Sequence, residues 1–549
     1  MRLRIRHRAV AAPLLAFALA VTAAACGGDD DDDDAVADAT TTPAAAATSS
    51  ATDPPAGPDA TGTTPGSAAP VSGGEITVIA PTDASSLDPI SGNSGNDHML
   101  LYPLYDRLLN FEPATLEANP GLATSWEQPD PETLVLELQA GVTFHDGTLF
   151  DAAAVAYNLD RARTLDTSTV KADLAMIESV EATGPLQVTI HMNRPDASLL
   201  LILADRPGMM VSPTAAEAAG ADFGRQPVGT GPFRLVEWLT GDRLVVKKNA
   251  DYWQDGKPYL DKITLRFIND QQTVVNALRT HEVDLAMKVA ASEVETLDVA
   301  DLSVEVHPSL STTVCYFNFS RPPFDNPQVR RAVALAVDRE TLNEVQAFGL
   351  AQPASAVFPP DYWAADPELA NALSFDLDEA RELMGAAGLA DGVSVRGLTY
   401  TGTAQTQLME IMQAQLAEIG VDMSVESVDV GTATATFFEE LAYDLYCAGW
   451  SGRPDPSQTA NSLFAPDAFY NAGKHETAGM AAALETAGGA QDQDARAEAF
   501  SEVIRLSQED ALLLPLLHQP DITAVFDNIG GFVPNLYGKI DVSFLWRES

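Results

Sequence analysis

The stretch from Leu408 to Val425 constrains the fold more than any other part of the chain. Leu408, Ile411, Met412, Leu416 and Ile419 recur at helical spacing, Gly420 follows as the helix stop, and Val421, Met423 and Val425 alternate as a strand. A helix closed by one glycine and followed at once by a strand packs as a layer on a sheet, which points to α/β architecture.

The same signs recur elsewhere. Ile76, Val78 and Ala80 alternate, as do Leu134, Leu136 and Leu138, Leu186, Val188, Ile190 and Met192, and Ile263, Leu265 and Phe267. Thr240-Gly241-Asp242 between two such runs predicts a hairpin. Asp151 is placed to cap a helix with Val155, Leu159 and Ala162 on its apolar face. Asn326 followed by Pro327 predicts a second capped helix carrying Val329, Ala332, Val333, Ala336 and Val337.

At 549 residues the chain exceeds one core of usual size, so two or more lobes are expected. It holds 78 acidic and 32 basic residues, a net charge of -46. Four Arg and nine Asp fall within the first 73 residues, leaving about -41 on the rest. Such a surface repels nucleic acid and anionic headgroups, and solubility in a salty medium is the plainest use for it. Cys315 and Cys447 sit among apolar and aromatic residues, so two buried thiols are expected rather than one bridge.

Residues 1–25 read as an export signal. Arg2, Arg4, Arg6 and Arg8 precede a short apolar run, and Ala23, Ala24 and Ala25 stand directly before Cys26. That box resembles a bacterial lipoprotein site with Cys26 as the lipid-attachment residue. Residues 26–73 carry Asp29 to Asp34 and then small and polar residues, a linker with too little apolar surface to fold. A lipid anchor through Cys26 is therefore the expected contact with the membrane, at the outer face of the cytoplasmic membrane.

Several segments then come in a telling order: Gly141-Val-Thr-Phe-His-Asp-Gly, Pro227-Val-Gly-Thr-Gly-Pro-Phe, Asn249-Ala-Asp-Tyr-Trp, Tyr316-Phe-Asn-Phe, Pro323-Phe-Asp-Asn-Pro-Gln-Val-Arg-Arg-Ala, and Gly449-Trp450 with Asp455-Pro456. In order and spacing the chain resembles the peptide, nickel and oligopeptide class of ABC-transporter solute-binding proteins. The resemblance implies a two-lobed periplasmic-binding-protein fold with a hinge and an extra subdomain on lobe I. Lobe I would be 74–104, 228–309 and 516–549, the subdomain 105–227, and lobe II 310–515. It also implies a monomeric receptor without cofactor that closes on a short peptide or peptide-like ligand and delivers it to ABC permease subunits.

Three segments are candidates for the cleft. In the loop from Leu87 to Asn96, Asn93 and Ser94 lie among glycines that let backbone N–H groups approach a ligand, or they belong to an ordinary surface loop. Tyr316 and Asn318 stack on or hydrogen-bond a ligand, or pack near the hinge. The third runs from Gly449 and Trp450 to Arg453 and Asp455. In related dipeptide receptors an Asp soon after the Gly-Trp pair holds the ligand ammonium. Here Arg453 stands in that neighbourhood, so it either pairs with a carboxylate or phosphate of the ligand or salt-bridges Asp455. Trp450→Ala is expected to weaken ligand binding while leaving apo stability nearly unchanged.

Rival functions find less support. His145 has no second His at ligand spacing, and the turn-and-cap pattern accounts for Asp146, Gly147 and Asp151. Gly229-Thr230-Gly231 lacks the third glycine of a dinucleotide loop. A hydrolase would need a nucleophile elbow or paired zinc histidines, which the sequence does not display. A metal, haem or opine receptor of the same fold is the nearer alternative.

Overall fold

The structure is a computed structural model that describes residues 69–92, 95 and 97–548. The export signal, Cys26, nearly all of the linker, Asn93 and Ser94 lie outside the described residues.

Two sheets carry the two lobes. The first has seven strands in the order Leu302–His307, Asp521–Phe526, Leu285–Ala286, Glu75–Ala80, Lys262–Phe267, Arg243–Lys248 and Phe233–Leu239. Alternation decides which side chains enter its core: Ile76, Val78, Leu244, Val246, Ile263 and Leu265 are buried. The hairpin expected at Thr240-Gly241-Asp242 forms, with Gly241 at φ +76° where a left-handed turn needs glycine.

The second sheet runs Gln352–Pro353, Leu513–His518, Thr312–Phe317, Leu445–Trp450, Val393–Tyr400 and Val421–Val428. Strands Val393–Tyr400 and Val421–Val428 pair in parallel, joined by the helix Thr403–Ala417. Leu408, Met412 and Leu416 of that helix are buried against the sheet, and Gly420 adopts φ +79° before the chain turns into the strand. The strand Leu513–His518 stays in this second sheet past residue 515 before the chain re-enters the first.

The expectation of two separate thiols is overturned. Thr312–Phe317 and Leu445–Trp450 are antiparallel neighbours with Cys315 opposite Cys447, and the two form a disulfide. Flanking apolar residues signal burial but carry no information about which strands pair.

A four-stranded antiparallel sheet, Ala123–Asp130, Thr133–Leu138, Gln187–Met192 and Ile177–Gly184, forms a subdomain covered by the helix Ala152–Thr164. Asp151 caps this helix by accepting from Ala154 N at 2.9 Å, and Asn326 caps Pro327–Leu335 by accepting from Gln328 N at 3.0 Å. His145 ties the turn before the first of these helices to the first lobe: its Nε2 lies 2.9 Å from the Gly231 carbonyl oxygen, and Gly229 N donates to its Nδ1 at 3.3 Å.

The chain passes between the two large sheets at residues 308–311 and 519–520, and the crossings are bonded to each other. Gln519 N donates to Ser311 O at 2.8 Å and Ser309 Oγ to Gln519 O at 2.7 Å. Paired short crossings of this kind are where hinge motion concentrates.

Candidate functional site

The strand Leu445–Trp450 ends at the boundary between the lobes, and the turn after it meets the crossing at residues 308–311. Gly452 N donates to Leu310 O at 3.2 Å, and a Cβ built at Gly452 would lie 2.3 Å from Leu310 Cβ, so this contact requires glycine. Gly95 packs on the same turn from the other side, its ideal Cβ position 3.1 Å from Ser451 Oγ and 3.4 Å from Lys539 Nζ. The loop from Leu87 therefore does approach the Gly449–Asp455 segment at its one described central residue.

Trp450 is 5% exposed and meets the Tyr470 ring edge-to-face at 5.2 Å. Its Nε1 is buried with no hydrogen-bond partner among the described residues. Tyr316 is buried, stacked between Tyr446 and Tyr470 with centroids 6.0 and 6.1 Å away. Tyr316, Trp450 and Tyr470 thus form one aromatic wall, and Tyr470 and the exposed Phe469 face a cleft of about 980 Å³. The wall corrects the expectation for Trp450→Ala, because a ring buried this deeply contributes to apo stability. Gly449 is exposed, beside the Tyr400 hydroxyl.

Asn318 and Asp455 are committed elsewhere. Asn318 donates to Leu441 O and Tyr443 O at 3.1 and 2.8 Å, and its Oδ1 accepts from Ser320 N and Oγ at 3.1 and 2.6 Å. With its amide saturated and fully buried, it fastens a loop and has nothing left for a ligand. Asp455, itself fully buried, caps the helix Pro456–Phe464 through Ser457 N at 2.8 Å and pairs with Arg496. Arg453 is therefore not neutralised by Asp455. It is partly buried, and among the described residues its guanidinium has no hydrogen-bond or ion-pair partner.

Around Arg453 lies a polar cluster that the sequence did not disclose. His98 Nε2 is 2.8 Å from Asp205 Oδ1, and Tyr537 donates its hydroxyl to Asp205 Oδ2 at 3.1 Å. Burial pushes the Asp205 carboxyl up, yet the His98 ring, with Arg453 and Arg206, outweighs it and holds Asp205 well below the usual carboxylate range. Burial holds the His98 imidazole below its ordinary value. Arg206 is spent on the Pro89 and Gly92 carbonyl oxygens at 2.6 and 2.5 Å. Burial raises Asp173, which lines the cleft with Gln458 and feels the charge of Arg453. These residues come from five distant parts of the chain, and no spacing rule links them.

The cleft runs between the subdomain, which supplies Asp173, Met176 and Asp196, and the second lobe, which supplies Gln458, Asn461 and Tyr470. Its volume lies within the range of about 300–1,000 Å³ common for small-molecule sites. Among the described residues no group of three or more His, Cys, Asp or Glu side chains is arranged to hold a metal. No described helix is long and apolar enough to cross a membrane.

Two lobes joined by paired crossings, with an aromatic and charged cleft between them, define a hinged solute receptor. The model for bacterial extracellular solute-binding proteins, family 5 Middle, matches residues 117–471, and the chain belongs to that family. The glutathione-binding protein GsiB of Salmonella typhimurium (strain LT2) is 31% identical over 476 residues, covering 83% of this chain and 91% of the relative. The periplasmic binding protein DppA of Helicobacter pylori, solved with the peptide STSA, superposes with a TM-score of 0.78 at 26% identity, over 87% of this chain and 99% of its own. The oligopeptide-binding protein AppA of Bacillus subtilis, solved with a nonapeptide, shares the fold with a TM-score of 0.77 at 20% identity, over 88% and 100% of the two chains.

Proposed function

We propose that this chain is the receptor of an ABC importer that encloses short peptides or peptide-like solutes, glutathione among the candidates, and hands them to the permease without chemical change. The observation that carries the reading is the cleft of about 980 Å³ between the subdomain and the second lobe, beside the aromatic wall of Trp450, Tyr470 and Tyr316. A ligand there is contacted from both lobes, so it favours the closed state, the form a permease can distinguish from the empty receptor. The likeness to a glutathione-binding relative and to a peptide-bound structure supports the ligand class. In this reading Arg453, in the turn after Trp450, takes an anionic group of the ligand.

In the same reading the protein is exported, cleaved before Cys26 and held by lipid on that residue. Residues 26–73 then serve as a tether that leaves the monomeric receptor free to meet its permease. Mass spectrometry of the solute that co-purifies with the native protein tests the ligand class, together with thermal shifts against peptide, glutathione, opine, sugar and metal pools. Peptides or glutathione are expected to raise the melting temperature and to be recovered intact. Stabilisation by metals alone would overturn the peptide assignment, and hydrolysis of any pool would overturn the receptor class.

A further inference from the structure

The cleft between the subdomain and the second lobe holds one buried acceptor that the fold itself does not use. Of the buried side-chain oxygens and nitrogens without a hydrogen-bond partner among the described residues, one belongs to a residue lining that cleft: Gln458 Oε1. Leaving a buried acceptor unmade costs more than an average bond gains, so native proteins rarely carry one without a use for it.

Gln458 stands in the first turn of the helix Pro456–Phe464, three residues after the cap Asp455. In a capping box a glutamine at this position turns back to the backbone N–H of the cap residue. Here its side chain instead bonds the Asp173 carboxylate of the subdomain across the cleft, which favours the charged acid. A carboxylate only accepts, so Nε2 faces Asp173 and Oε1 is directed away from it. The start of the helix does not need that oxygen, because Asp455 already accepts from Ser457 N at 2.8 Å.

The surroundings specify what Oε1 can take. Asn461 and Ser462 share a face of the helix with Gln458 and also line the cleft, while Thr459, Ala460 and Leu463 are buried in the second lobe. Gly488 lines the same cleft, and its carbonyl oxygen accepts from Ala197 N of the subdomain at 2.8 Å, so the two walls touch there. An acceptor calls for a donor. Gln458 is neutral, and Asp173 beside it already feels the charge of Arg453, so a neutral N–H suits the place better than an ammonium.

We propose that Gln458 reads a main-chain amide N–H of the ligand: Nε2 stays on Asp173 while Oε1 accepts from the amide, so that a peptide bond completes the link between subdomain and second lobe. The inference rests on the receptor reading above and adds that the ligand supplies an amide donor at this point. A ligand with that N–H favours the arrangement in which Gln458 reaches Asp173. An ester oxygen in its place leaves the buried acceptor unsatisfied, which is how a polar site rejects a close analogue.

The test is calorimetric titration of the full chain and of Gln458→Met with trialanine and glutathione. Each is compared with two analogues in which one amide N–H or the other is replaced by an ester oxygen. Methionine keeps the length of the side chain and removes both polar atoms. In the parent protein, one of the two esters is expected to bind about tenfold or more weakly than its amide. In Gln458→Met the amide should weaken and its advantage over that ester should shrink to about twofold or less. A merely structural role for Gln458 would weaken amide and ester alike and leave the gap intact. Far-UV spectra and unfolding midpoints establish that the variant is folded, and the comparison of amide with ester in the parent needs no variant at all. Esters bound as tightly as amides by the parent, or a gap that persists in Gln458→Met, would overturn the assignment and leave the peptide receptor standing. Binding of neither trialanine nor glutathione would overturn the assignment and the peptide reading together.

Discussion

Arg496 Nη2 lies 2.7 Å from Asp455 Oδ1 and 3.0 Å from Asp455 Oδ2, in a site where the Asp455 side chain is fully buried. The same nitrogen donates to Ser457 Oγ at 2.9 Å, and Arg496 Nε donates to the Ala487 carbonyl oxygen at 3.0 Å. Asp455 thus joins the start of one helix to Arg496 on the helix Gln493–Glu509. Removing one partner of a buried, hydrogen-bonded pair strands the other charge. Asp455→Ala is expected to destabilise the protein by about 3–5 kcal/mol in urea unfolding. A loss below about 1 kcal/mol, the size of an exposed pair, would mean that the site is solvated.

Trp450 separates packing from recognition. Trp450→Ala removes a buried ring from the wall shared with Tyr470, and a loss of about 3–5 kcal/mol is expected from denaturant unfolding. Trp450→Phe keeps an aromatic edge for Tyr470 and removes the unpartnered Nε1. The Phe variant should retain more of the apo stability, and any fall in ligand affinity then reports on the indole N–H.

The disulfide closes a separation of 132 residues within one sheet, between strands already paired side by side. Replacing Cys315 and Cys447 together by Ala should cost about 2–4 kcal/mol, most of it through a less restricted unfolded chain. Both residues are fully buried, so thiol labelling under reductant should follow global unfolding and remain slow in the native protein.

Two histidines make the fold sensitive to acid. Burial pushes His145 and His518 down to about 4, well under the value near 6.5 of an unfolded chain. Between these limits the unfolded chain binds protons that the native state refuses. Their contribution is therefore complete above about pH 6.5 and lost as pH falls toward 4, by up to about 3 kcal/mol each. Unfolding midpoints measured from pH 7 to 4 should fall less steeply in His518→Gln than in the parent.

Local grammar was legible in the sequence. Asp151 and Asn326 act as caps, Gly241 turns a hairpin, Gly420 stops a helix, and each depends on residues a few positions away. Alternation at Ile76 and Val78, or at Ile263 and Leu265, likewise marks the buried face of a strand before any partner is known.

What the tertiary structure alone decided is which polar groups are consumed and which remain free. Asp455 and Arg453 stand two residues apart, yet one is sealed against Arg496 while the other has no hydrogen-bond or ion-pair partner among the described residues and feels the charges of Asp173 and Asp205. Asn318, Cys315 and Cys447 were given their partners by strand pairing and loop packing that no local pattern encodes. Lys539 meets the neighbourhood of Arg453 only because the C-terminal segment returns to the first lobe. Helices and turns arise from bonds between near neighbours, whereas the partner of a buried charge depends on which distant segments the fold brings together.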